Sequence, residues 1–201
     1  LFNTASMLDG VAFQRGDYVV FNDSTANNMV TLNGSLTPAI VTVNNTNQNY
    51  AFTGTGSMAG SMSLTKNGSG TLTISNNNNY AGGTVVNGGT LVLAKGGSAG
   101  AIAGTMTINP GATVSLMAGD ALGYGGSSST TPVNIIGGTL DNGTTGNEGY
   151  ITSFNLTGGT MTSSGGGSYN MNGASAVTIN SLASSTLSTV SGPVALRSDG
   201  M

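Results

Sequence analysis

The sequence predicts an all-β chain, and within that class a right-handed parallel β-solenoid (β-helix) with little or no α-helix. Three observations carry this. Single apolar residues alternate with Thr or Ser over many short stretches, the period of half-buried strands, and no stretch keeps the i, i+3, i+4, i+7 spacing of a helix. Asn-Gly and Gly-Gly pairs separate the stretches, and these residues enter the left-handed backbone region at low cost, as tight corners require. Charged residues make up only 5% of 201, so the outward faces carry Thr, Ser and Asn, which stack on identical neighbours without repulsion. A hairpin sandwich would instead guard its open face and its edges with charge.

Along the chain, residues 1–60 have their own texture. Arg15, Asp17 and Asp23 lie close together and Phe2, Phe13, Tyr18, Phe21, Tyr50 and Phe52 supply most of the aromatics, so this stretch reads as N-terminal coils or a cap. Residues 61–201 read as the repeat-bearing solenoid, continuous with it as one domain. Strand patterns stand at Val30–Leu32, Val41–Val43, Ser61–Thr65, Thr71–Ser75, Thr90–Leu93, Thr105–Ile108, Thr113–Leu116, Phe154–Thr157 and Val177–Ile179. A Gly-Gly-Thr triplet opens a strand-like segment at Gly82–Gly83–Thr84, Gly88–Gly89–Thr90, Gly137–Gly138–Thr139 and Gly158–Gly159–Thr160. This is an internal repeat with uneven separations, and its residues are the expected structural corners. Gly125–Thr131 and Ser163–Ser168 are low-complexity runs read as loops projecting from the coil. At about 20 residues and roughly 4.8 Å per coil, the chain would make on the order of ten coils and a rod of about 50 Å.

The composition excludes several kinds of chemistry. There is no Cys and no His, which removes disulfides, the usual ligands of zinc, haem, copper and iron-sulfur centres, and the imidazole or thiolate of nucleophilic triads. No cofactor is expected. With four Lys plus Arg against seven Asp plus Glu, the net charge of -3 does not suit a phosphate backbone, so no nucleic-acid partner is expected either. No apolar run reaches the roughly 18 residues of a membrane span, and residues 1–20 lack the pattern of a signal peptide. A leader already removed, or origin as part of a longer polypeptide, would each suit export.

Residues 64–93, LTKNGSGTLTISNNNNYAGGTVVNGGTLVL, combine a Lys-x-Gly-x-Gly-Thr-Leu-Thr opening at Lys66, a Tyr-x-Gly-Gly-Thr centre at Tyr80 and a Gly-Gly-Thr-Leu close at Gly88. This string resembles the autotransporter-associated β-strand repeat, also called the passenger-associated transport repeat. The run Asn76–Asn79 departs from the more usual Gly-x-Asn turn. The resemblance implies a β-helical protein exported to the bacterial surface, and it implies no reaction.

Of the candidate chemistries, carboxylate catalysis has seven acids to draw on: Asp9, Asp17, Asp23, Asp120, Asp141, Glu148 and Asp199. Asp120, Asp141 and Glu148 are spaced to meet on neighbouring coils, and a glycosidase needs two carboxyl groups about 5–10 Å apart. No basic residue accompanies them, so solvated loop acids are the favoured reading. Asp141–Asn142–Gly143 reads as a turn and not as a calcium loop. Six Asn-x-Ser/Thr sequons, at Asn22, Asn33, Asn44, Asn67, Asn142 and Asn155, are as many as this composition produces by chance. Met62, Met106 and Met161 fall in the inward phase of their strands and read as core rather than as metal ligands. Lys66 reads as a corner lysine.

The function expected is therefore that of a non-enzymatic extracellular structural protein, forming or belonging to a bacterial surface fibre or sheath. Its expected partner is another copy of itself, stacked end to end into a filament, because a solenoid does not close and no amphipathic helix caps either end. The alternatives are an adhesin-type passenger binding a surface glycan and a β-helical polysaccharide lyase or hydrolase.

Overall fold

A computed structural model describes residues 7–8, 11–12, 14–24, 26–124, 130–148, 153–171, 178–181 and 186–196. Among them none is helical. Two eight-stranded sheets, parallel throughout, run the length of a β-solenoid. Sheet one stacks Tyr18–Asn22, Ile40–Asn44, Ser63–Asn67, Thr84–Val86, Gly104–Ile108, Thr130–Ile136, Ser153–Thr157 and Thr178–Ser181. Sheet two stacks Met29–Leu32, Tyr50–Gly54, Thr71–Ile74, Gly89–Leu93, Ala112–Leu116, Thr139–Asn142, Thr160–Thr162 and Thr189–Val190. Each coil thus gives one strand to each sheet. A partial third side pairs Ser35–Leu36 with Ser57–Met58 and Tyr169–Met171 with Val194–Leu196.

Alternation turns one residue in two inward, and parallel stacking turns those positions into columns. In sheet one Phe21, Val43, Lys66, Val86, Ile108, Ile135 and Leu156 lie in register, one per coil. In sheet two Tyr50, Leu72, Leu91, Val114, Leu140 and Met161 do the same. All of these are buried, and so are Met62 and Met106, the other two methionines assigned to the core. Outward, Thr71, Thr90, Thr113, Thr139, Thr160 and Thr189 form an unbroken threonine column.

Coil length is less regular than 20 residues. Ile74 lies under Leu93, 19 residues on, whereas Met161 lies under Val190, 29 residues on. Fewer and longer coils follow, and eight strands at about 4.8 Å span roughly 34 Å. The longer coil at Thr130–Ile136 carries Pro132, which has no N–H to give to the ladder. The register slips there, between the Gly104–Thr130 and Met106–Val133 pairs.

Two loop assignments need correction. Thr130 and Thr131 belong to a strand, while 125–129 lie outside the described residues. Ser163–Ser168 does not project. Gly165 N donates to Asn142 O (3.0 Å) and Gly167 N to Thr144 O (3.0 Å), so small residues let this run lie flat on the coil beneath.

At the two ends, Tyr18–Asn22 and Met29–Leu32, and Thr178–Ser181 and Thr189–Val190, have no further strand partner in these sheets among the described residues. Large apolar side chains are exposed near both, Tyr18, Val20 and Met29 at one end and Leu187 and Val190 at the other.

Candidate functional site: the polar corners

Each time the backbone leaves one sheet for the next, carbonyl and N–H groups lose their ladder partners and must be paired otherwise. Most of the polar side chains that could act chemically are found pairing them.

Lys66 is the sharpest case. The alternation Leu64–Thr65–Lys66 puts it in the inward phase, and its side chain is completely buried in an otherwise apolar column. Its ammonium donates to Asn67 O (2.8 Å), Gly68 O (3.0 Å) and Gly88 O (3.2 Å). Burial brings its pKa down to about 8. The signal was in the sequence, since a lysine two residues after a core leucine on a strand cannot face out unless the strand bends.

The other half of the same segment follows the same logic. Tyr80 and Thr84 are both buried, and their hydroxyls share a hydrogen bond of 2.7 Å. Burial holds the Tyr80 phenol above its ordinary value. The Asn76–Asn79 run packs Asn76 and Asn78 inward. Asn78 Oδ1 accepts from Met58 N (2.7 Å) and its Nδ2 donates to Ala101 O (2.7 Å), so one amide bridges the coils above and below.

The four Gly-Gly-Thr triplets occupy two different places. Those at Gly88, Gly137 and Gly158 turn the chain from sheet one into sheet two, and Thr90, Thr139 and Thr160 all join the outward threonine column. The triplet at Gly82 leads into sheet one, and Thr84 faces inward. A Cβ on Gly82 would run into Met62 O, and one on Gly159 into Ile135 O, so side chains are excluded by the coil beneath.

The carboxylates are also committed to backbone. Asp23 accepts from Thr46 N, Asn47 N and Gln48 N of the next coil, and these bonds, that of Thr46 foremost, hold it below the usual carboxylate range. Asp141 faces outward and accepts from Thr162 Oγ1 (2.7 Å), Ser164 N (2.9 Å) and Ser164 Oγ (2.6 Å). Burial pushes Asp141 up, but these bonds outweigh it and the net direction is down. Glu148 is fully buried, with Oε1 accepting from Ala121 N (3.0 Å) and Oε2 from Leu122 N (3.1 Å). Burial raises its pKa to about 8, against those two bonds, with a further push from Asp120.

Asp120 and Glu148 therefore do meet on neighbouring coils, and Asp120 N donates to Asn147 O (2.9 Å). Asp141 instead sits on the outer face of sheet two, tied to Thr162 and Ser164. Asp17 caps its own turn through Gln14 N (2.6 Å), and Asp9 and Asp199 lie outside the described residues. Among the described residues no three acidic side chains gather as metal ligands would. Sequence reasoning missed the interior role of Glu148, because its glycine-rich surroundings carry no alternation from which to read a phase.

On the surface, the amides of Asn44, Asn67, Asn87 and Asn109 form a ladder: Asn67 Nδ2 to Asn44 Oδ1 (2.7 Å), Asn87 Nδ2 to Asn67 Oδ1 (2.8 Å) and Asn109 Nδ2 to Asn87 Oδ1 (2.6 Å).

The family model described as passenger-associated-transport-repeat matches residues 64–93. Neither the curated proteins nor the solved structures contain a match to this chain. The matched stretch runs from Leu64, just before the buried lysine, to Leu93, past its last carbonyl acceptor, with the Tyr80–Thr84 pair between. The motif's Lys and its closing Gly-Gly-Thr are thus two ends of one hydrogen-bonded corner. Residues 64–93 are thus similar to a passenger-associated transport repeat.

Proposed function

We propose that this chain is a non-enzymatic, extracellular structural segment of a bacterial surface protein, working as a stiff rod within a fibre or sheath. The observation that carries the reading is the use of the polar groups. Lys66, Asp23, Asp141 and Glu148 each bond the backbone of a turn or of an adjacent coil, and the outer face repeats Thr and Asn in register. Such a surface suits lateral uniformity and hydration rather than a localised reaction. The matched repeat, of a kind found in exported passengers, supports display outside the cell.

End-to-end stacking of copies is the assembly we propose. Among the described residues the end strands of both sheets have no further strand partner, and these strands, with the exposed Tyr18, Val20, Met29, Leu187 and Val190 beside them, suit a head-to-tail contact that does not close into a ring. Electron microscopy of the purified chain tests it, with filaments or end-joined rods expected and lone rods at all concentrations overturning the assembly. Selective capture on a glycan array would replace this reading with the adhesin. Polysaccharide turnover lost in Asp120→Asn or Asp141→Asn would replace it with the enzyme.

A further inference from the structure

An Asn-Gly pair is the chemically labile dipeptide of a protein chain. The glycine nitrogen attacks the asparagine Cγ, the new N–C bond closes a succinimide, and ammonia leaves. One water then opens the ring at either carbonyl, giving Asp or isoAsp. The step needs a free amide side chain and a glycine whose backbone can move toward it. Five such pairs stand in the sequence, at Asn33, Asn67, Asn87, Asn142 and Asn172. Asn172 lies outside the described residues.

The fold treats the other four unequally. Asn67 and Asn87 have both amide atoms tied in the ladder. Asn142 is buried, with Nδ2 donating to Gly146 O (3.0 Å) and Oδ1 accepting from Thr144 N (3.3 Å). Their glycines are confined as well. A Cβ on Gly68 would run into Asn45 O, one on Gly88 would lie 3.3 Å from Gly68 O, and one on Gly143 would lie 2.7 Å from Met117 Sδ. Asn33 differs on both counts. Its side chain has no hydrogen-bond partner among the described residues, and Gly34 is exposed, with nothing within 4 Å of where a Cβ would stand.

We infer that, of the four Asn-Gly pairs among the described residues, Asn33–Gly34 is the one that deamidates in the folded protein, and that the asparagine ladder shields Asn67 and Asn87 from the same reaction. The consequence is local. Gly56 N donates to Leu32 O and Ser57 N to Gly34 O, both at 2.9 Å, on either side of this corner. An isoAsp adds a methylene to the main chain between them, so ageing loosens the Ser35–Leu36 to Ser57–Met58 pairing first.

The test is to incubate the folded chain in mildly alkaline buffer and map isoAsp by peptide mass spectrometry over time. Asn33 is expected to convert at least about tenfold faster than Asn67, Asn87 or Asn142, the factor set by about 1.4 kcal/mol of added barrier. In concentrated denaturant the four rates converge. In folded Asn109→Ala, which frees Asn87 Oδ1, conversion at Asn87 rises while Asn33 is unchanged. Equal rates at all four sites in the folded chain, a faster Asn67 or Asn87, or an inert Asn33 overturns the assignment.

Discussion

Two corners of this solenoid bury an ionisable group with no opposite charge beside it among the described residues, and they do so with opposite chemistry. At one, Lys66 supplies protons to three carbonyls. At the other, Glu148 supplies lone pairs to two N–H groups. Both answer the same problem, backbone groups orphaned where a coil turns, and which side chain serves depends on which end of the peptide dipole faces in. Only the lysine corner lies inside the matched repeat. A recurring motif therefore marks one solution to corner pairing, while an equally buried one elsewhere leaves no pattern to detect.

The contrast is broken most strongly by truncation. Glu148→Ala leaves the Ala121 and Leu122 N–H groups unpaired and opens a void, so a loss of about 3–5 kcal/mol is expected in denaturant unfolding. Lys66→Met fills the column with an apolar chain of similar length and leaves only carbonyls short of a donor. Its expected cost is smaller, about 1–2 kcal/mol. Equal losses would contradict the distinction between the two corners.

The pH dependence sharpens it with opposite signs. The folded pKa of Glu148, about 8, lies above its ordinary 4.5, so between those values the folded chain holds the proton and the unfolded chain does not. Stability then falls as pH rises through that window, by up to a few kcal/mol. For Lys66 the folded pKa of about 8 lies below its ordinary 10.5, so the unfolded chain holds the proton between them and stability rises with pH there. Urea midpoints read across both windows check this: Glu148→Gln should abolish the first slope alone and Lys66→Met the second alone. Asp23 and Asp141, held down, contribute stability that is lost only as pH falls below their ordinary 3.8.

Tyr80→Phe tests the second pair of the repeat. It strands the buried Thr84 hydroxyl and should cost about 1–2 kcal/mol. The smallest effect is expected at the exposed ladder, where Asn87→Ala should change stability by about 0.5 kcal/mol or less.

How much of this was legible follows from what alternation can report. Stretches such as Thr71–Ile74 and Ala112–Leu116 show their phase directly, because apolar residues recur every second position, and the asparagines at strand ends announced stacking by being identical and uncharged. The Gly-Gly-Thr repeat was legible as a corner but not as two corners. The interval of six between Gly82 and Gly88 is the passage from one sheet to the next within a coil, while the intervals of 49 and 21 are two coils and one. Local spacing cannot distinguish these without knowing the coil length, which varies. Glu148, and the flat seating of Ser163–Ser168 on the coil beneath, depend on contacts with residues about 20 or more positions away and carry no local signature.

The account rests on in-register parallel stacking, and spin-label distances along the threonine column measure that directly. Paired labels at Thr71 with Thr139, Thr160 and Thr189 should give separations that grow by one strand spacing per coil, about 14, 19 and 24 Å. Separations that fail to increase in that order, as two facing antiparallel layers would produce, would contradict it.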